Sequence, residues 1–109
     1  KVTDWSNPMS GTRVDIPPEI DESFCHEWKI RELALFGSAV RGEMSADSDI
    51  DVLVTFEEDA TWSLWDLLEL RDELARVLSR DVDLVEADAI RNPFRRHEIM
   101  RTRKVLYAA

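Results

Sequence analysis

The sequence is organised around the stretch GSAVRGEMSADSDID, residues 37–51. Two runs typical of strands flank it, RELALF at residues 31–36 and DIDVLVTF at residues 49–56. Because strand side chains alternate between two faces, Asp49 and Asp51 are expected to share one face, and the Ile and Val residues at 50, 52 and 54 to face the core. Two carboxylates this close repel each other unless a cation lies between them. Hard oxygen ligands of this kind suit Mg²⁺, with Mn²⁺ as the alternative.

The beginning of the same stretch predicts a phosphate site. Gly37 and Ser38 form a turn that leads into a short helix, so backbone N–H groups and a hydroxyl would face a bound anion. Arg41 lies one helical turn after Ser38 and is placed to reach a triphosphate, although a solvated arginine remains the alternative. One short segment therefore predicts both a phosphate cradle and a metal clamp.

A third acidic residue is expected from the next strand. Residues 63–66 have the form of a capping box, which predicts a helix that runs to about Ser79 with an inner stripe that includes Leu64 and Leu74. The following residues, 80–85, read as a strand, and a strand–helix–strand connection would place it beside the strand of residues 49–56. Asp81 and Asp83 share a face by parity, so either could complete the carboxylate set.

These motifs resemble the signature of a known superfamily. Gly37-Ser38, then ten residues, then Asp49-x-Asp51 is similar to the signature of the nucleotidyltransferases related to polymerase β. Residues 36–42, FGSAVRG, most resemble its minimal nucleotidyltransferases. The resemblance runs from about residue 17 to the C-terminus. It implies an α+β fold with a mixed central β-sheet flanked by helices, like the polymerase palm.

The resemblance also implies roles for individual residues. It favours Asp83 over Asp81 as the third acid, because the family's third acid lies inside the strand. It implies ATP as the substrate and a divalent ion as the cofactor. The implied metal-binding and catalytic residues are Asp49, Asp51 and Asp83, and the implied nucleotide-binding residues are Gly37, Ser38 and Arg41.

By the same resemblance, the partner would be a small helical protein of the HEPN class. Minimal nucleotidyltransferases act as antitoxins beside HEPN toxins, in some systems by transferring AMP to a tyrosine of the toxin, which implies a hetero-oligomer. Two other functions stay open. The chain could be a binding-only antitoxin that neutralises by contact, or a small-molecule nucleotidyltransferase of the antibiotic-modifying type.

The length, the net charge and the cysteine count limit the possible domain organisation, partners and cellular setting. With 109 residues we expect one domain at residues 15–109, preceded by an irregular arm at residues 1–14. A net charge of −9 argues against direct nucleic-acid binding and favours a basic protein partner. We expect no membrane segment and no signal peptide. Cys25 is the single cysteine, so no internal disulfide is possible, and we expect a reducing, cytoplasmic setting.

The remaining segments predict two more helices. The first would start at residues 15–19 and bury a stripe of Ile20, Phe24 and Trp28. The last would begin at Pro93 after an Asn92 cap and turn Phe94 and Ile99 inward. The basic residues of this region either stabilise the C-terminal end of the helix or contact a partner or a nucleotide. They are Arg95, Arg96, Arg101, Arg103 and Lys104. Trp62 and Trp65 are a candidate contact patch, with at least one of them expected to pack in the core.

Overall fold

The computed structural model describes residues 18–37, Val40 and residues 49–109. The elements of this part follow in the order α1 (Glu22–Glu27), β1 (Ile30–Phe36), β2 (Ile50–Phe56), α2 (Leu64–Leu78), β3 (Val82–Glu86), α3 (Pro93–Thr102) and β4 (Lys104–Ala108), with a 3-10 turn, Ala87–Ala89, before α3. This arrangement confirms the predicted α+β class. The expected arm at residues 1–14 lies outside the described residues.

The four strands form one mixed sheet in the order β3-β2-β1-β4. β1 is antiparallel to both β2 and β4, whereas β2 and β3 are parallel and connected through α2. The prediction that the third strand lies beside the second, across a helical connection, is therefore confirmed. The fourth strand was not predicted, because no strand was expected after the last helix.

One face of the sheet carries the larger hydrophobic core, under α1 and α2. Ile50, Val52 and Val54 are buried in it, as the alternation predicted. From α2, Leu70 and Leu74 are fully buried, but Leu64 is 68% exposed, so the predicted inner stripe was wrong at that residue. Leu64 is the first residue of the helix and lies at the mouth of a cavity described below.

The opposite face carries a smaller cluster that α3 covers. Ala34, Phe36, Leu53 and Ile99 are buried in it. Phe94 is 85% exposed, so its predicted inward position was wrong. Residues five apart in a helix are rotated by about 140° from each other, so Phe94 and Ile99 cannot both face the sheet.

Side-chain caps define the helix boundaries. The helix predicted from residues 15–19 begins later, at Glu22, because the Asp21 carboxylate accepts the Phe24 N–H at 2.9 Å. The capping box at Ser63 and the Asn92 cap of α3 are both confirmed. None of the helices in the described ranges is both long and apolar enough to cross a membrane.

Candidate active site

Asp51 is the centre of the candidate site. It is the second residue of β2 and is half-buried. Its register partner on the antiparallel side is Phe36, and its partner on the parallel side is Asp83. Hydrogen-bonded strands lie about 4.8 Å apart, and register partners point to the same face, so Asp51 and Asp83 are neighbours on the α3 face of the sheet.

The register also decides between the two candidates for the third acid. Asp83 lies inside β3 opposite Asp51, whereas Asp81 precedes the strand. The Asp81 carbonyl oxygen accepts the N–H of Ile50 at 2.9 Å, which ties the start of β2 to the approach to β3. Asp81 is therefore a backbone partner of β2, and Asp83 is the acid that neighbours Asp51.

Gly37 lies directly against the Asp51 carboxylate. It follows the last residue of β1 and has a positive φ of 71°. A Cβ atom at this position would lie 2.3 Å from Oδ2 of Asp51, which no real side chain allows. The Gly37 carbonyl oxygen accepts the N–H of Val40 at 3.1 Å. The glycine corner and the central carboxylate are therefore in contact, as one compact unit at the end of β1.

Asp49 precedes β2 and is exposed, and strand alternation places it on the side of Asp51. Carboxylate oxygens from adjacent strands beside a glycine corner are suitable ligands for a hard divalent ion. Among residues 18–37, 40 and 49–109, however, no three His, Cys, Asp or Glu side chains lie close enough together to hold a metal. Metal binding by Asp49, Asp51 and Asp83 therefore stays a prediction.

Ser38 and Arg41 lie outside the described residues, and their phosphate roles also stay predictions.

Two of the basic residues near the C-terminus form ion pairs within the chain, and a third, Arg96, donates a hydrogen bond to the Ala87 carbonyl oxygen. The Arg103 guanidinium pairs with the Glu32 carboxylate in a partly buried contact, and this hydrogen bond raises the pKa of Arg103. Arg101 pairs with Glu98, and that hydrogen bond lowers the pKa of the Glu98 carboxyl. These contacts within the chain account for these arginines without a nucleotide or a partner.

A cavity that no sequence pattern indicated adjoins Asp83. It has a volume of about 230 Å³ and lies between α2 and β3, with Leu64, Leu67 and Leu84 among its lining residues. It could not be found from the sequence, because its two walls are about 20 residues apart and meet only through the crossover.

The two tryptophans near α2 differ in environment. The Trp62 ring lies 5.1 Å from that of Trp28, centroid to centroid, and its Nε1–H donates to the Trp28 carbonyl oxygen at 2.8 Å. Trp65 is 78% exposed. Trp62 is half-buried against Trp28 and belongs to neither hydrophobic cluster, so the expectation that at least one of the pair packs in the core was wrong.

Comparison with known proteins agrees with this geometry. The family model of the nucleotidyltransferase domain matches residues 18–106. A putative protein adenylyltransferase of Methanocaldococcus jannaschii is 41% identical over 68 residues, which cover 62% of this chain and 68% of the relative. The protein adenylyltransferase MntA of Thermococcus cleftensis is 44% identical over 63 residues, which cover 58% of this chain and 62% of MntA.

Solved structures share the fold. A toxin–antitoxin structure with AMP-PNP superposes with a TM-score of 0.65 and 27% identity over 80% of this chain and 69% of its own. A putative minimal nucleotidyltransferase gives a TM-score of 0.63 and 36% identity, and the match covers 74% of this chain and 80% of the other. A complex of a tri-AMPylated Shewanella oneidensis HEPN toxin with MNT antitoxin gives a TM-score of 0.53 and 27% identity. The match covers 74% of this chain and 59% of the other. Because the family model spans most of the chain and the site geometry agrees with it, this protein belongs to the nucleotidyltransferase family.

Proposed function

We propose that this chain transfers AMP from ATP to a partner protein, a tyrosine of a HEPN-type toxin, and thereby acts as its antitoxin in a hetero-oligomer. The observation that carries the proposal is the position of Asp51, which touches the Gly37 corner and neighbours Asp83 across the sheet. The relatives named protein adenylyltransferase and the neighbour with an AMPylated HEPN toxin support the choice of acceptor.

In the proposed reaction, the tyrosine oxygen attacks the α-phosphorus of ATP. The bond from that phosphorus to the oxygen bridging to the β-phosphate breaks, and pyrophosphate leaves. Asp83, exposed at the edge of the sheet, accepts the proton of the tyrosine hydroxyl or holds metal. Gly37, with Ser38 and Arg41 as predicted partners, positions the β- and γ-phosphates. Mg²⁺, with Mn²⁺ as the alternative, would neutralise phosphate charge when held by Asp49, Asp51 and Asp83.

The test is transfer of label from ATP to a purified HEPN-type protein in the presence of Mg²⁺. We expect the wild-type chain to label the partner, and Asp51→Ala to lower the rate by about 100-fold or more, because position and electrostatics are the protein's main contribution. The variant should remain folded, since it removes one member of a repelling carboxylate pair. Asp88→Ala, an exposed acid just after β3, is the matched control and should keep the native rate. Native-rate transfer by Asp51→Ala would contradict the proposal.

A binding-only antitoxin is the second candidate function. The exposed Leu64 and Trp65 at the start of α2 favour it, because they offer a contact surface that needs no chemistry. An Asp49→Ala, Asp51→Ala double variant separates the two functions. Neutralisation of the toxin by this variant supports contact alone, whereas loss of neutralisation with retained binding supports AMP transfer.

A small-molecule acceptor is less well supported. The cavity beside Asp83, at about 230 Å³, is smaller than the roughly 300 Å³ at which small-molecule sites begin. A cytoplasmic location, expected from the single cysteine, stays a prediction.

A further inference from the structure

The cavity between α2 and β3 has an apolar wall on each side. Leu64 and Leu67 of α2 face Leu84 of β3 across it, and Asp83 also lines it. Its volume of about 230 Å³ corresponds to about eight water molecules at roughly 30 Å³ each. This is room for an apolar side chain of a protein, on the opposite face of β3 from the Asp83 side chain.

The cavity lies beside an edge strand of the sheet. β3 is the outermost strand on its side and, among the described strands, it pairs only with β2. The other edge of β3 can therefore accept main-chain hydrogen bonds from an added extended segment. Such a segment would run past Asp83 and past the mouth of the cavity.

The charges along this edge indicate which kind of segment would bind there. Asp83 and Glu86 both line the cavity, and neither has an ion-pair partner among the residues that the structure describes. The basic group on the opposite wall, Arg71, is already paired with Asp72 at 3.1 Å. With a net charge of −9 for the whole chain, the edge is complementary to a segment that carries Lys or Arg.

We propose that an extended, basic segment of the acceptor protein binds along the edge of β3. On the α2 face of the sheet it places one apolar side chain in the α2–β3 cavity and a basic side chain opposite Glu86, and on the α3 face its acceptor hydroxyl lies at Asp83, because side chains of an extended segment alternate between the two faces. Asp83 and Glu86 are three residues apart, or about 10 Å at roughly 3.3 Å per residue. The basic side chain should therefore lie about three residues from the acceptor. This inference rests on the proposed function.

The test uses two variants outside the carboxylate set. Leu64→Asp puts a charge at the mouth of the cavity, and Glu86→Lys reverses the charge at its far end. For each, we expect the KM for the purified HEPN-type acceptor to rise about tenfold or more, because an apolar anchor or a complementary charge is lost. The KM for ATP and the kcat at saturating acceptor should stay at the wild-type values. Exchange of a Lys or Arg of the acceptor segment for Glu should restore binding to Glu86→Lys.

The matched control is Phe94→Asp, which changes another exposed apolar residue, on α3 and away from this cavity. It should leave every constant unchanged. The proposal is overturned if Phe94→Asp has the same effect, if Leu64→Asp and Glu86→Lys leave acceptor KM unchanged, or if they change only the oligomeric state. Leu64→Ser replaces Leu64→Asp if thermal unfolding shows the latter to be misfolded. If the wild-type chain transfers no AMP, the proposed function fails, but calorimetry of acceptor binding still tests the binding surface. Loss of acceptor binding in Leu64→Asp would then support the surface on its own.

Discussion

The contact between Gly37 and Asp51 makes Gly37→Ala the most informative single substitution. An alanine there would have to keep a φ of 71°, and its Cβ would lie 2.3 Å from Oδ2 and 3.2 Å from Cγ of Asp51. The left-handed backbone costs a non-glycine residue about 1–2 kcal/mol. Moving the carboxylate off its rotamer costs about 0.5–1.5 kcal/mol more. We therefore expect Gly37→Ala to lower the free energy of unfolding by about 1.5–3.5 kcal/mol.

A double-mutant cycle with Asp51→Ala separates these two costs. Without the carboxylate, only the backbone cost remains, so Gly37→Ala should cost about 1–2 kcal/mol in that background. Urea unfolding of the wild-type chain, both single variants and the double variant measures the difference. Equal costs of Gly37→Ala in both backgrounds would refute the close contact.

Gly37→Ala should also slow AMP transfer. A misplacement of about 1 Å at a reacting group costs about 100-fold in rate. We expect Gly37→Ala to lower AMP transfer by about that factor under conditions where circular dichroism shows it folded. Near-native transfer by a destabilised Gly37→Ala would show that the position of the Asp51 carboxylate does not limit the reaction.

Three further predictions test separate parts of the structure. Asp83→Asn should abolish AMP transfer in the labelled-ATP assay while its melting temperature stays close to that of wild type, because the acid is exposed; native-rate transfer would remove Asp83 from the site. Ser63→Ala breaks the capping box of α2 and should lower the free energy of unfolding in urea by about 1 kcal/mol without changing kcat; an unchanged stability would contradict the cap. Burial, with a smaller contribution from Asp21, raises the pKa of the Cys25 thiol from its usual 9.0 to about 12. Between these values only the unfolded chain forms the thiolate, so the free energy of unfolding should fall as pH rises from about 9 to about 12. Cys25→Ala should show a smaller fall, and an identical fall would contradict the raised pKa.

The sequence predicted how β2 and β3 are placed around the candidate site because the signals for these strands are local and periodic. Alternation placed Ile50 and Asp51 on opposite faces, and the crossover rule placed β3 beside β2. Parity could not separate Asp81 from Asp83, because both share a face. Only the register, which pairs Asp51 with Asp83, makes that distinction.

Features that depend on long-range contacts were missed. No Gly or Pro separates α3 from β4, so the sequence carries no sign of the helix end. In the structure, Arg103 leaves the helix with an extended backbone, and its side chain bonds to Glu32, 71 positions earlier, and to the Met100 carbonyl oxygen. The end of α3, and therefore β4, is set by a partner that no local pattern reveals.

The geometry also separates the proposed binding surface from the proposed catalytic residues within one small domain. Asp51 and Gly37 form a unit at the end of β1, whereas Leu64 and the edge of β3 lie on the other side of Asp83. Asp83 is the residue that both regions share among those described. A change at Asp51 should therefore stop transfer and leave acceptor binding intact, whereas a change at Leu64 should weaken acceptor binding and leave kcat at saturating acceptor unchanged. A chain that neutralises only by contact would respond to the second change alone, so the two functions predict different results for the same pair of variants.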